Sequence, residues 1–484
     1  MRNVPRLAFV ATLLLAACTR HPNPTLSPRP TPPKTIDIGI IAINDFHGNL
    51  EPPHQAVDVP DGKGDVVQVP AGGAAYLASA IDSVRAKHPN HITVSAGDLV
   101  SGAPFLASLY LDEPTIGVMN RLGLDINALG NHEFDRGREE ILRIAHGGCA
   151  KFTARTPCAL EPYQGAKFQF LAANTITETG ETLFPPTTLK SFGEGTNKVT
   201  IGFIGLVTAT MPQLIPPDRQ GSLHWADEAD TANALVPKLL ASGADAIVVI
   251  IHQGGTTDVN TADPNGCTGL HGTPRDDIRP ILARLDPRID VVISGHTHWA
   301  YVCDWPSTRD PTHQFLLTSA GLWGKLVTDI SLTIDPTTHR VTRKSAKNII
   351  VQSEAYQGSG QNHANVASYP RFAPRADIAA YIKRYTDAAA AYSGRVVGWL
   401  ASRAEKTTGH WFNTGGSLGQ LIADGQLAAT QSAGAQIAFM NPFGVRATLT
   451  PAADGSVNFA QINATQPFND HLVTQIFTGK DIKA

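Results

Sequence analysis

An α/β protein with a layered main domain is what this sequence predicts, on three observations. From residue 36 onward, short runs rich in Ile and Val alternate with stretches whose apolar residues recur at helical spacing. Several of those runs end on Asp, Asn or His, the placement expected where strand ends line a site. The 484 residues exceed what one core organises, so a second domain is expected.

The elements follow in order. Arg2 and Arg6 precede "LAFVATLLLAAC", an apolar run too short to span a membrane as a mature helix. It ends in small residues before Cys18, as a bacterial lipobox does. Residues 1–18 are therefore read as a lipoprotein signal with Cys18 lipidated. Thr19, not Asp, follows, which favours the outer membrane; an ordinary secretory signal is the alternative. Residues 19–35 are Pro-rich and suit a tether. The expected location is exported and periplasmic, touching the membrane only through that lipid.

The runs "IDIGIIAIN", "HITVSAGD", "DINALGN", "FQFLAAN", "VTIGFIGLV", "AIVVIIH" and "DVVISGH" read as strands. "AAYLASAIDSVRAKH" and "ADTANALVPKLLASG" lie between them as helices. "QFLLTSA" and "LVTDISLTID" follow with little helix between, so part of the sheet is expected to be mixed. Residues 340–373 are polar and carry no clear pattern. Residues 375–393 read as one long helix joining two domains. Beyond it "GSLGQLIADGQLAAT" reads as a helix and "AQIAFMNPFGVRATL" as strand, turn, strand.

Composition narrows the function. The 39 basic and 42 acidic side chains nearly balance, so neither a nucleic-acid polymer nor an acidic tail is implied. After Cys18, four cysteines remain and allow three pairings. The short loop favours Cys149 with Cys158, which leaves Cys267 with Cys303. No CxxC occurs, so a cysteine-held zinc is not expected.

The chemistry sits at the strand ends: Asp45 and His47, Asp98, Asn131 and His132, His252, and His296 and His298. Singly each has a bland reading, as a turn or a packed histidine. Jointly, imidazole, carboxylate and amide oxygen suit a borderline divalent ion such as Zn, Mn, Co or Fe. So many donors over-supply one ion and suit two, the clamp used for in-line phosphoryl displacement, with Asp98 as the bridge.

"NDFHG", "GD", "GNHEFD", the histidine closing "AIVVIIH" and "GHTH" together resemble the signature of calcineurin-like metallophosphoesterases, in particular the bacterial periplasmic 5′-nucleotidase/UDP-sugar hydrolase family. The resemblance implies a layered αββα sandwich over residues 36–345. It implies a linker and connecting helix over 346–393, and an α+β nucleotide-binding domain over 394–484. It implies that Asp45, His47 and His298 hold one ion, that Asn131, His252 and His296 hold the other, and that Asp98 bridges them. A water acidified by the ions would be the nucleophile. His132 would face the phosphate, oriented by Asp135, although Asp135 also reads as a helix N-cap.

In the second domain, "SLGQLIADGQ", "MNPFGVR" and "PFND" resemble the family's motifs. Asn441 and Arg446 are expected at the substrate and Phe468 to stack on a base. "NPFGVR" is bulkier than the family's glycine pair, "PFND" replaces "PFGN", and the family's domain continues past the last residue here, so a partial domain is expected. The implied activity is release of phosphate from nucleoside 5′-monophosphates, and cleavage of UDP-sugars, by a monomer. The alternatives are a 2′,3′-cyclic nucleotide phosphodiesterase, a non-catalytic metal-binding lipoprotein, and a manganese-dependent partner of sulfur oxidation.

Overall fold

In a computed structural model, residues 35–61, 63, 65–258, 262–272, 276–358, 361–406, 416–441, 444–467 and 472–483 are described. The signal segment with Cys18, and Phe468, lie outside them.

Two six-stranded sheets organise the first part of the chain. One runs, edge to edge, Arg340–Ile350, Leu326–Asp335, Ile36–Ile43, His91–Ser95, Ile126–Ala128 and Gln169–Leu171. The other runs Ala300–Pro306, Gln314–Ala320, Val291–Ser294, Ala246–His252, Val199–Val207 and Thr187–Phe192. The central strands of each are parallel, and antiparallel strands close the Arg340–Ile350 edge and both edges of the second sheet.

Alternation along the strands makes the layers. Ile38, Ile40 and Ala42 point inward and pack with Ile201, Phe203, Val248 and Ile250 of the facing sheet. Ile41 and Ile43 point outward, against a helical layer that includes Leu77, Ile81 and Met119. Ile247 and Val249 face a second outer layer with Ala232, Val236 and Leu239. Strands covered on both faces need near-continuous apolar sequence, which is why Val199–Val207 is buried throughout. The result is the α/β/β/α sandwich.

The unpatterned stretch from residue 340 begins with a strand. Arg340–Ile350 pairs antiparallel with Leu326–Asp335 at the sheet edge. Its Arg and Lys side chains hide it from a hydrophobic reading, and charge of this kind protects an exposed edge. Ala376–Ser393 is one helix, and it buries Ile378, Tyr381, Ile382, Tyr385 and Ala389 against the first helical layer.

Beyond that helix, Val396–Trp399 pairs with Ser456–Asn458, and Ala404, Leu418, Val445, Leu449 and Val457 form a small core. Helix Phe459–Thr465 starts on a capping box between Asn458 and Gln461. The strand, turn, strand expected of "AQIAFMNPFGVRATL" does not form. Its described residues make only an isolated bridge, Leu449 to Ala404. Ile437 and Phe439 are exposed, and no described strand lies alongside to complete a ladder. No helix among the described residues is long and apolar enough to cross a membrane.

Candidate active site

The strand ends of both sheets meet at one place. Asp45, His47, Asp98 and Asn131 follow strands of the first sheet; His252 closes a strand of the second, and His296 and His298 follow another. Asp45 (φ 48°), His47 (47°), Asp98 (51°), His296 (72°) and His298 (61°) all adopt the left-handed backbone conformation. Such strain costs on the order of 1–3 kcal/mol per residue and is characteristic of functional sites. Neighbouring glycines permit the approach. A Cβ on Gly130 would lie 2.2 Å from Asp98 Oδ1, one on Gly97 2.8 Å from His252 Nδ1, and one on Gly295 2.8 Å from Asp45 Oδ2.

Asp45, His47, Asp98 and His298 each present a ligand atom within 4.8 Å of the others; Asp98, His252 and His296 form a second such group. Asp98 belongs to both. Its Oδ2 lies 3.1 Å from His252 Nε2 and 3.6 Å from His47 Nε2. Asn131 Oδ1 lies 3.1 Å from His252 Nε2.

Outer partners fix the tautomers. His47 Nδ1 donates to Ser101 O (2.9 Å) and His252 Nδ1 to Ala96 O (2.7 Å), leaving both Nε2 atoms turned inward. His296 Nε2 donates to Asp276 Oδ1 (3.0 Å), which leaves its Nδ1 as the ligand atom. Two ring nitrogens, His47 Nε2 and His298 Nε2, face one another at 3.2 Å beside two carboxylates. Lone pairs crowded in this way fit cations between them, so the donor set fits divalent ions. Burial pushes the Asp98 carboxyl up, but His252, His132 and His47 outweigh it and hold it well below the usual range. Burial pushes His252 down, yet Asp98 and Asp45 raise it to about 10.

His132 stands beside this cluster without entering it. Its backbone N–H donates to Asp98 Oδ1 (2.9 Å) and its Nδ1 to Asp135 Oδ2 (2.7 Å). Burial opposes its protonation, but Asp135 and Asp98 prevail and raise its pKa. Asp135 is not an N-cap: helix Arg138–His146 starts after Gly137 with no side-chain cap, because the Asp135 carboxylate is turned back to the imidazole.

Sequence reasoning missed three residues. Glu133 is buried and accepts the backbone N–H of Asp98 (2.9 Å), Leu99 (2.9 Å) and Gly130 (2.7 Å), so one carboxylate ties two ligand loops together. Burial and Asp98 push it up to about 7. Asn44 donates to Asp45 Oδ2 (2.7 Å) and to Gly321 O (2.6 Å). Asp276 lies in a long loop that disulfide Cys267–Cys303 fastens to the strand after His298. Glu133 and Asn44 sit inside quoted motifs; Asp276 has no signal in the sequence. The other disulfide is Cys149–Cys158.

A cleft of about 1340 Å³ opens over the cluster. Asp98, Asn131, His132, His296 and His298 line one wall; Ile422, Phe439, Met440, Asn441 and Arg446 line the other. Arg446 Nη2 reaches to 3.4 Å from His132 Nε2. Asn441 lines the cleft, but its side-chain oxygen accepts the Gly444 N–H and so also closes its own turn.

Comparison with known proteins agrees with this geometry. Residues 38–300 match the profile of the calcineurin-like phosphoesterases, and residues 396–484 that of the 5′-nucleotidase C-terminal domain. An uncharacterized protein of Acinetobacter calcoaceticus is 43% identical over 203 residues, 40% of this chain and 99% of its own. Endonuclease YhcR of Bacillus subtilis is 28% identical over 99% of this chain and 35% of its own. The 2′,3′-cyclic-nucleotide 2′-phosphodiesterase/3′-nucleotidase of Salmonella typhimurium is 28% identical over 60% of this chain and 40% of its own. The chain thus spans well under half the length of these last two. Among solved structures, a 5′-nucleotidase precursor from Thermus thermophilus superposes with a TM-score of 0.64 at 22% identity, covering 90% of this chain and 74% of that one.

Proposed function

The chain belongs to the calcineurin-like phosphoesterase family, and from that premise we propose that it hydrolyses phosphate esters of nucleotides, nucleoside 5′-monophosphates first among them. One observation carries the reading: donors from both sheets converge on Asp98, with the His132–Asp135 pair and Arg446 at the mouth of the same cleft. In this reading Asp45, His47 and His298 hold one divalent ion, Asn131, His252 and His296 hold a second, and Asp98 serves both. Ions held there would supply Lewis-acid polarisation of a phosphoryl oxygen and a more acidic water.

The chain's own groups do the rest. Arg446 Nη2 and His132 Nε2 face each other at 3.4 Å. A phosphoryl group entering between them would meet an N–H donor from each side, and an arginine fork suits that contact. Asp135 holds the His132 ring by Nδ1, which keeps Nε2 aimed at the substrate and favours the protonated form that stabilises developing charge. The apolar wall of Ile422, Phe439 and Met440 suits a base. Asn441 and Phe468 are retained as substrate contacts.

A 2′,3′-cyclic nucleotide phosphodiesterase is the second reading, favoured by the name of the Salmonella relative. Two disulfides favour an oxidising compartment, in keeping with export as a lipoprotein through Cys18. Assay of the purified protein with AMP, a 2′,3′-cyclic nucleotide and a generic phosphate ester, with Mn or Co added, tests the activity. Preference for AMP supports the first reading and preference for the cyclic ester the second. No turnover of any ester overturns both.

A further inference from the structure

Behind the donor cluster lies an ion pair that supplies no ligand atom. Asp112 is fully buried and Arg136 nearly so, and Arg136 Nη1 donates to Asp112 Oδ2 at 2.6 Å. Asp112 immediately precedes helix Glu113–Leu122, and Arg136 stands two residues before helix Arg138–His146.

By position Asp112 should be a helix N-cap, yet its carboxylate accepts no N–H of that helix. A capping aspartate has an extended backbone and turns its side chain to the first turn. Here φ is 58°, a left-handed conformation shared by Leu111 before it (54°). The carboxylate is turned instead to Ser101 in the loop after Asp98, whose N–H donates to Asp112 Oδ2 at 3.2 Å. Arg136 Nη1 also donates to Ser101 Oγ at 3.1 Å. The pair thus grips Ser101 by backbone and side chain together.

Ser101 passes that grip to the cluster. Its carbonyl accepts His47 Nδ1–H at 2.9 Å, the bond that leaves His47 Nε2 turned inward. Its φ of 61° is left-handed, and a strained backbone of this kind persists only where its surroundings hold it. The same carboxylate presses on His47 from the other side: a Cβ on Gly48 would lie 3.0 Å from Asp112 Oδ1. Arg136 in turn follows Asp135, which holds His132, and the His47 and His132 rings meet edge to face with centroids 5.0 Å apart. One buried pair therefore braces both imidazoles.

We propose that Asp112 and Arg136 are positioning residues, and that the pair fixes the Ser101 carbonyl so that His47 presents Nε2 to a divalent ion. The inference rests on the metal-dependent phosphoesterase reading above and assigns that site two further residues. A pair that served stability alone would leave ion affinity unchanged when altered.

Titration calorimetry with Mn compares the wild type with D112N, R136M, R136K and H47A. Asn keeps the size of Asp112 and tolerates its left-handed backbone, so D112N carries the test even if R136M folds poorly. D112N and R136M are expected to weaken Mn uptake roughly 10–100-fold, the scale of a lost partner behind a metal ligand. R136K is expected to lose less, because a single nitrogen, Nη1, makes both contacts and an ammonium can replace it. In an H47A background D112N is expected to add no further loss, since Asp112 acts through that imidazole. AMP turnover by D112N is expected to fall at limiting Mn and to recover in excess Mn. Unchanged Mn affinity in D112N overturns the proposal, even if its melting temperature in EDTA falls. So does a further loss of the same size in the H47A background. Absence of ester turnover by the wild type counts against the phosphoesterase reading by itself and leaves the Mn comparison intact.

Discussion

His132 contacts two carboxylates and one cation: Asp135 through its ring, Asp98 through its backbone N–H, and the Arg446 guanidinium. H132A is expected to lower kcat by roughly 10²–10⁴-fold while metal content by mass spectrometry stays near that of the wild type; loss of metal would make it a ligand. D135N removes the carboxylate that raises the His132 pKa. The imidazole then loses its proton at lower pH, so the basic limb of the pH–rate profile should move to lower pH; an unmoved limb would separate Asp135 from that titration. At this scale the sequence was most legible where a polar residue closes an apolar run, as at Asp45, Asp98 and His252. It was least legible where a residue acts at second hand. Glu133 looks like an ordinary helix-start acid until its three backbone donors are seen. Asp276 reaches His296 across a loop no local pattern predicts.

Elements transmit these demands through close approach. The strand end at Gly130 passes so near Asp98 that a methyl group would overlap the carboxylate. G130A is therefore expected to lower both the melting temperature and divalent-ion uptake, measured by calorimetry with and without Mn; unchanged uptake would show that the loops relax independently. Cys267–Cys303 encloses a stretch of sequence separation 36, so removing it should cost about 4 kcal/mol by loop entropy, read as a lowered denaturant midpoint. Buried strands such as Val199–Val207 were legible because both faces are covered. Arg340–Ile350 was not, since an edge strand needs charge more than apolar residues. The region around Asn441 misled because a strand-like composition makes no strand without a neighbour to pair with.

Across the molecule, the cleft joins the donor cluster to a wall from the second domain. R446A should raise KM for AMP with a smaller change in kcat if Arg446 binds the phosphate in ground and transition states alike. Dialysis against EDTA should abolish turnover and lower the melting temperature, because Asp45 and Asp98 are left close together without cations. Restoration by Mn, Co or Zn ranks the candidate ions.

The donors span Asp45 to His298 and belong to two different sheets. A nascent fragment that ends before His298 lacks part of that donor set, and an extended chain brings none of it together. Any ion bound there would therefore arrive only after the two halves of the sandwich close, and its identity would follow from what the surroundings offer at that moment.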